Sequence, residues 1–326
     1  MMRASRKGVL LLYTGSPDAP TPEAVRRYLK RFLMDPHVLT MPSWARRLLV
    51  HGIIAPVRAR ASAAKYAEIW MPEGSPLVVY TERFMSALQA MLPEYPVAAG
   101  AAYGARAVAD ALNSLLRRSI QEIVVLPMFP HHAGATRGSL LAMLDMALAQ
   151  AGAASIKTVV IPPFYEDEAY IDAMRSVAAA PLQTFAPDHI VFSYHGLPVR
   201  QGRIRFPVAG GLSYEEQCNR STAALIGALS VDAKSCSQAW QSRFGRGWLE
   251  PTLESALEGL ARKGCRRVAV LAPSFVTDCL ETLEELDMRA RERFLAAGGE
   301  AFLRIPCLND YPPWVAAAAS MIDPVV

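Results

Sequence analysis

The chain is predicted to fold as an α/β protein of two Rossmann-like lobes, each a parallel sheet flanked by helices, with a cleft between them. Three observations predict it. Short apolar, β-prone runs alternate with helical patterns along the whole chain, as expected for parallel strands joined by crossover helices. A helix–strand unit also recurs: Asp110-Ala111-Leu112 through Ile123-Val124-Val125-Leu126 aligns without gaps on Ser255-Ala256-Leu257 through Val268-Ala269-Val270-Leu271. Finally, Tyr13-Thr14-Gly15-Ser16-Pro17 mirrors Tyr194-His195-Gly196-Leu197-Pro198 in the same chain order. The lobes are expected at residues 1–165 and 166–326, with the last helix packing back on the first lobe.

Taken in order, Val9–Tyr13 reads as a buried strand stopped by Thr14-Gly15-Ser16-Pro17. A helix follows, with Thr21 as N-cap, Pro22 at its first position and Glu23 in its first turn. Val25, Tyr28, Leu29, Phe32 and Leu33 share one face, and Arg26, Arg27, Lys30 and Arg31 the other. From about residue 42 to 60, Trp44, Leu48, Leu49, Ile53 and Ile54 interleave with Arg46, Arg47, Arg58 and Arg60. This stretch is either a helix packed on the core or a basic amphipathic lip that meets anionic lipid or a greasy, carboxylated ligand. Further strands are predicted at 96–100, 123–126, 158–161, 190–194, 239–241, 268–271 and 302–305.

Composition narrows the function. A chain of 326 residues with 52% hydrophobic and 20% charged residues can bury a large core, and its net charge of +4 is too small to suggest a nucleic-acid partner. Five scattered cysteines without CxxC spacing argue against a disulfide frame or structural zinc, and for a reducing compartment. The apolar run after the basic start is too short for a signal peptide, and no run reaches membrane-spanning length. A cytoplasmic location is expected, with peripheral membrane contact left open.

The chemistry centres on Val191–Pro198, where an apolar run ends in His195 and Gly196 and Pro198 break the strand. Ligands of open α/β sheets sit beyond the carboxyl ends of strands. After the run Val268–Leu271, Glu281 and Glu285 stand four apart, on one helix face and in the same lobe as His195. An imidazole facing stacked carboxylates can hold a divalent metal or move protons. The plainer alternatives are a histidine satisfied in a turn and a capping box from Asp278 to Glu281.

These residues resemble those of the ferrochelatase family, which inserts ferrous iron into a porphyrin to complete haem. Tyr194-His195-Gly196-Leu197-Pro198 is similar to its histidine motif, and Asp278-Cys279-Leu280-Glu281-Thr282-Leu283-Glu284-Glu285 to its acidic helix in proteobacterial form. Matches in family order include Pro17–Leu29, Ile69-Trp70 with Gly74–Leu77, Tyr214–Cys218, Gln241–Gly245 and Trp248–Pro251. The resemblance implies that His195 takes pyrrole protons, ligates the metal, or does both. Glu281 would stand opposite it across the ring, and Glu285 would extend a hydrophilic path for metal or protons. Trp248 and Phe275 match aromatic positions that pack on the macrocycle; Tyr13, Thr14 and Ser193 are the other implied substrate contacts. Fe2+ is expected as substrate ion, with neither an iron–sulfur cluster nor a nucleotide. A porphyrin, and neighbouring enzymes of the haem pathway, are the implied partners.

Some positions depart from the family pattern. Ala101-Ala102 stands where Met-Arg is usual, which removes a base that could meet a propionate. Phe129–Thr136 replaces a Tyr- and Ser-rich loop and carries His131-His132, read as a solvated loop or a second metal-facing feature. Cys279 stands where animal members have histidine, and the third acidic step of the helix is Arg289. The alternatives carried forward are a cobalt or nickel chelatase of a sirohydrochlorin-like ring, and a tetrapyrrole- or metal-binding carrier without catalysis.

Overall fold

A computed structural model describes residues 7–326 as two compact units. Unit 1 takes residues up to 129, 134–161 and 318–326; unit 2 takes 130–133 and 162–317.

Unit 1 is built on β1 (Lys7–Tyr13), β2 (Val97–Ala101), β3 (Glu122–Pro127) and β4 (Lys157–Val160), all parallel in the order β2-β1-β3-β4. Val9 through Leu12 are fully buried, so both faces of β1 are covered by helices, the usual condition of a parallel strand. Leu10 and Leu12 pack with Ile123 and Val125 against Leu112, Leu115, Leu144 and Leu148. Each such side chain contributes about 1.5–3 kcal/mol by leaving water. The helix Pro22–Leu33 starts as expected, with Thr21 Oγ1 accepting from Ala24 N–H at 3.4 Å.

The basic amphipathic stretch is a helix (Ser43–Leu49), a π-turn (Val50–Ile54) and a second helix (Ala55–Ile69). Pro56 explains the π-turn: it has no N–H to donate, and its ring would clash with the carbonyl one α-turn back, so the helix widens there. The extra residue keeps Trp44, Leu48, Ile53 and Val57 in an exposed series, at 68, 68, 59 and 73% exposure.

Unit 2 contains β5 (His189–His195), the antiparallel hairpin β6 (Arg205–Phe206) and β7 (Leu212–Ser213), β8 (Cys236–Gln241), β9 (Arg267–Leu271) and β10 (Ala301–Arg304). The main sheet is parallel, in the order β10-β9-β5-β8. Numbered by appearance within each unit, both sheets run second-first-third-fourth. The sequence repeat is therefore a repeat of topology, with β1 corresponding to β5 and β3 to β9. Val191, Ala239, Val268 and Val270 pack against Leu253, Leu257, Leu286 and Phe294. Among the described residues, no helix is long and apolar enough to cross a membrane.

Candidate active site

His195 is the last residue of β5, beside Gln241 of β8, and is half-buried. Its Nδ1 lies 2.7 Å from the Gly196 carbonyl. A carbonyl only accepts, so Nδ1 carries the hydrogen and Nε2 of the neutral ring keeps its lone pair for a proton or a metal. The backbone is held on both sides: Tyr214 Oη donates to the His195 carbonyl at 3.1 Å, and Gly196 N–H donates to Gln241 O at 2.7 Å. Gly196 is required by space, because a Cβ there would lie 2.8 Å from that carbonyl oxygen and 3.5 Å from Trp248 Cε3. Trp248 bridges to Pro198 and lies against this turn, and the Phe275 ring is 6.4 Å from the imidazole.

The acidic segment is a π-helix, Glu281–Ala290, anchored to the sheet by fully buried Leu286. In i→i+5 bonding, residues four apart stay close to one face, which aligns Glu281, Glu285 and Arg289. The capping-box alternative from Asp278 to Glu281 does not form. Asp278 lies outside the helix, its carboxylate taking hydrogen bonds of 2.8 Å each from Arg304, Asn309 and Thr282. Arg304 also reaches Asp287 at 3.2 Å, so one guanidinium ties the segment to the end of β10.

Glu281 is half-buried, with the Cys279 thiol hydrogen-bonded to its side chain, and Glu285 is buried and engaged. Ser242 N–H donates to one Glu285 oxygen at 2.7 Å and Ser242 Oγ to the other at 2.5 Å. Arg289 is 3.9 Å from Glu285 and 2.7 Å from Glu284. Burial pushes the Glu285 carboxyl up; Ser242 and Arg289 pull it down, Glu281 pushes it up and His195 pulls it down. His195 and Glu281 thus both act on the charge of Glu285. The three do not form a ready-made cage: among the described residues, no three His, Cys, Asp or Glu side chains converge as metal ligands.

Ser193 and Tyr13 are buried. The Ser193 hydroxyl donates to Gln241 Oε1 at 2.8 Å, so it is taken up by the neighbouring strand. Tyr13 ends β1 with its phenol pushed up to about 12 by burial, while Thr14 beside it is half-buried. His131 and His132 are corrected from the solvated loop: both are buried in unit 2. His131 Nε2 is 2.9 Å from Ser221 Oγ, its ring stacks on Tyr165, and burial pushes it down to about 3. His132 N–H donates to Gln217 at 2.7 Å. Gln241 and Ser242 belong to the family-like run Gln241–Gly245, and the sequence alone assigns them no role. Polar residues ending a buried strand beside the histidine strand were the signal.

Comparison with known proteins identifies the family. A family model described as Ferrochelatase matches residues 6–325. The chain belongs to the ferrochelatase family. It is 38% identical to the ferrochelatase of Pseudomonas aeruginosa strain PAO1, over 97% of each chain. It is also 38% identical to that of Azotobacter vinelandii, over 96% of this chain and 97% of the other. Family membership makes the protein a lyase whose reaction is insertion of Fe2+ into a porphyrin to give haem. Solved structures share the fold. Bacillus subtilis SirB, a sirohydrochlorin chelatase in complex with cobalt, gives a TM-score of 0.58 at 9% identity, over 97% of this chain and 94% of that one. CbiX, described as the terminal enzyme of sirohaem biosynthesis in denitrifying bacteria, gives 0.53 at 17% identity, over 98% and 99%.

Proposed function

We propose that this ferrochelatase metallates protoporphyrin IX with His195 and Glu281 facing each other across the ring. One observation carries the reading. The Gly196 carbonyl holds the hydrogen on Nδ1, which leaves the Nε2 lone pair of His195 available, and His195 and Glu281 both act on the charge of Glu285. Metallation exchanges two pyrrole N–H protons for one Fe2+. His195 Nε2 accepts one proton; the Glu281 carboxylate stabilises the iron as it loses water and then takes or passes on the second. General-base help of this kind is worth roughly 10²–10⁴ in rate. Trp248 and Phe275 pack on the macrocycle. Glu285, one step along the helix, is a second carboxylate on the route of the metal.

Anaerobic insertion assays test this. Fe2+ with protoporphyrin IX should turn over, and Glu281→Gln should lower kcat about a hundredfold or more. Preference for coproporphyrin III would correct the ring assignment. Turnover only with Co2+ or Ni2+ and sirohydrochlorin would favour the chelatase alternative, and ring binding without metallation the carrier.

A second proposal concerns location. The exposed series Trp44, Leu48, Ile53 and Val57 lies beside Arg47, Arg58 and Arg60, and no acidic residue occurs between Asp35 and Glu68. An apolar stripe with only positive charge around it suits peripheral contact with an anionic bilayer. Flotation with phosphatidylglycerol vesicles should carry the protein, and Trp44→Ser with Leu48→Ser should release it. Equal binding to neutral vesicles would remove the charge argument.

A further inference from the structure

We infer that Ser242 is a positioning residue for iron capture, holding the Glu285 carboxylate away from Arg289 so that a second anion stays available beside Glu281. The inference rests on the role proposed for Glu281. Ser242 directly follows Gln241, the last residue of β8, which is paired in register with His195. Its φ is +60°, a left-handed conformation that costs a residue with a Cβ of order 1 kcal/mol. That turn aims both its N–H and its hydroxyl at Glu285, one to each oxygen, at 2.7 and 2.5 Å. The oxygen bound by the hydroxyl lies 3.9 Å from Arg289 Nη2, while Arg289 Nε is held by Glu284 at 2.7 Å, so the guanidinium is near enough to draw that oxygen closer once the serine releases it. Gln241 fixes the other end of the segment, donating to the Glu281 carbonyl at 3.0 Å while accepting from Ser193. Together they tie the acidic helix to the strand that neighbours β5. Without the hydroxyl, Glu285 can close on Arg289 and its charge is spent there.

The test is Ser242→Gly, which tolerates the backbone angle and keeps the N–H. A hydrogen bond to a charged group is worth roughly a factor of ten or more. KM for Fe2+ should therefore rise about tenfold, with kcat and the KM for porphyrin changed less than about twofold. Adding Arg289→Ala should restore the Fe2+ KM, and Ser242→Asn, a donor that tolerates left-handed φ, should recover part of it. An unchanged Fe2+ KM, equal changes for both substrates, or no rescue by Arg289→Ala would overturn the inference. Loss of activity in Glu281→Gln with an unaffected Ser242→Gly would sink this inference alone. Full activity in Glu281→Gln would sink the underlying reading first.

Discussion

Unit 1 and unit 2 share a strand order and fill the same three places differently. At the end of the first strand, unit 1 has Thr14 and unit 2 has His195. At the end of the second, unit 1 has Ala101-Ala102 where unit 2 has Gln241-Ser242. After the third, each unit forms a π-helical segment. In unit 1 it is Gly134–Gly138, carrying buried Arg137, whose guanidinium donates to the Phe129 carbonyl at 3.0 Å and to that of Ile161. In unit 2 it is the acidic helix. The topology supplies equivalent places at strand ends, and only those of unit 2 hold groups that can exchange protons or meet a cation. Arg137 spends its guanidinium on backbone carbonyls of unit 1, whereas the places of unit 2 hold His195, Glu281 and Glu285, the groups proposed to act.

Exchanging residues between the units gives the largest expected effect. His195→Thr, which gives unit 2 the residue of unit 1, should cost roughly 10²–10⁴ in turnover, whereas Thr14→Ala should cost less than about threefold. Equal losses would abolish the distinction. The next effect is on stability. Buried Asp35 of unit 1 accepts from Ser139 at 2.5 Å, Tyr103 at 2.6 Å and His37 N–H at 2.6 Å. Asp35→Ala strands those donors and should cost about 3 kcal/mol in thermal or urea unfolding.

The smallest prediction is an acid response that differs between units. Burial raises the Asp35 carboxyl, but hydrogen bonds from Ser139, Tyr103 and His37 outweigh it, so its value lies below the ordinary 3.8. Its stabilisation is present above that value and is lost only as pH falls further. His131 of unit 2 is pushed from 6.5 down to about 3 by burial, so between those values the unfolded chain binds a proton that the native one does not. Unit 2 therefore loses stability as pH falls below about 6.5, by up to about 1.4 kcal/mol per pH unit, with His189 shifted in the same direction. Hydrogen exchange read in each unit between pH 7 and 5 should show protection falling in unit 2 first, and His131→Phe should flatten that fall.

Much of this was legible in the sequence because it is local. Period, N-caps and strand-breaking glycines placed the helix at Pro22 and all eight main strands to within a few residues. His195 and Glu281 stood out because a histidine at a strand end and carboxylates four apart are patterns within one segment. What was missed depends on contacts far along the chain. Asp278 does not form the alternative cap because Arg304 and Asn309, from beyond β9, claim its carboxylate. His131 and His132 read as surface because their partners, Ser221 and Gln217, lie 90 and 85 residues away. Ser242 could not be assigned a role until its backbone angle and the register of β8 were known.

The most direct test of the central claim is to measure ring binding and metallation together in His195→Ala. Porphyrin affinity, followed by fluorescence quenching, should stay within about threefold of the native protein, since Trp248 and Phe275 remain, while Fe2+ insertion should fall by two or more orders of magnitude and recover in part with added imidazole. Insertion at the native rate without that side chain would contradict the account.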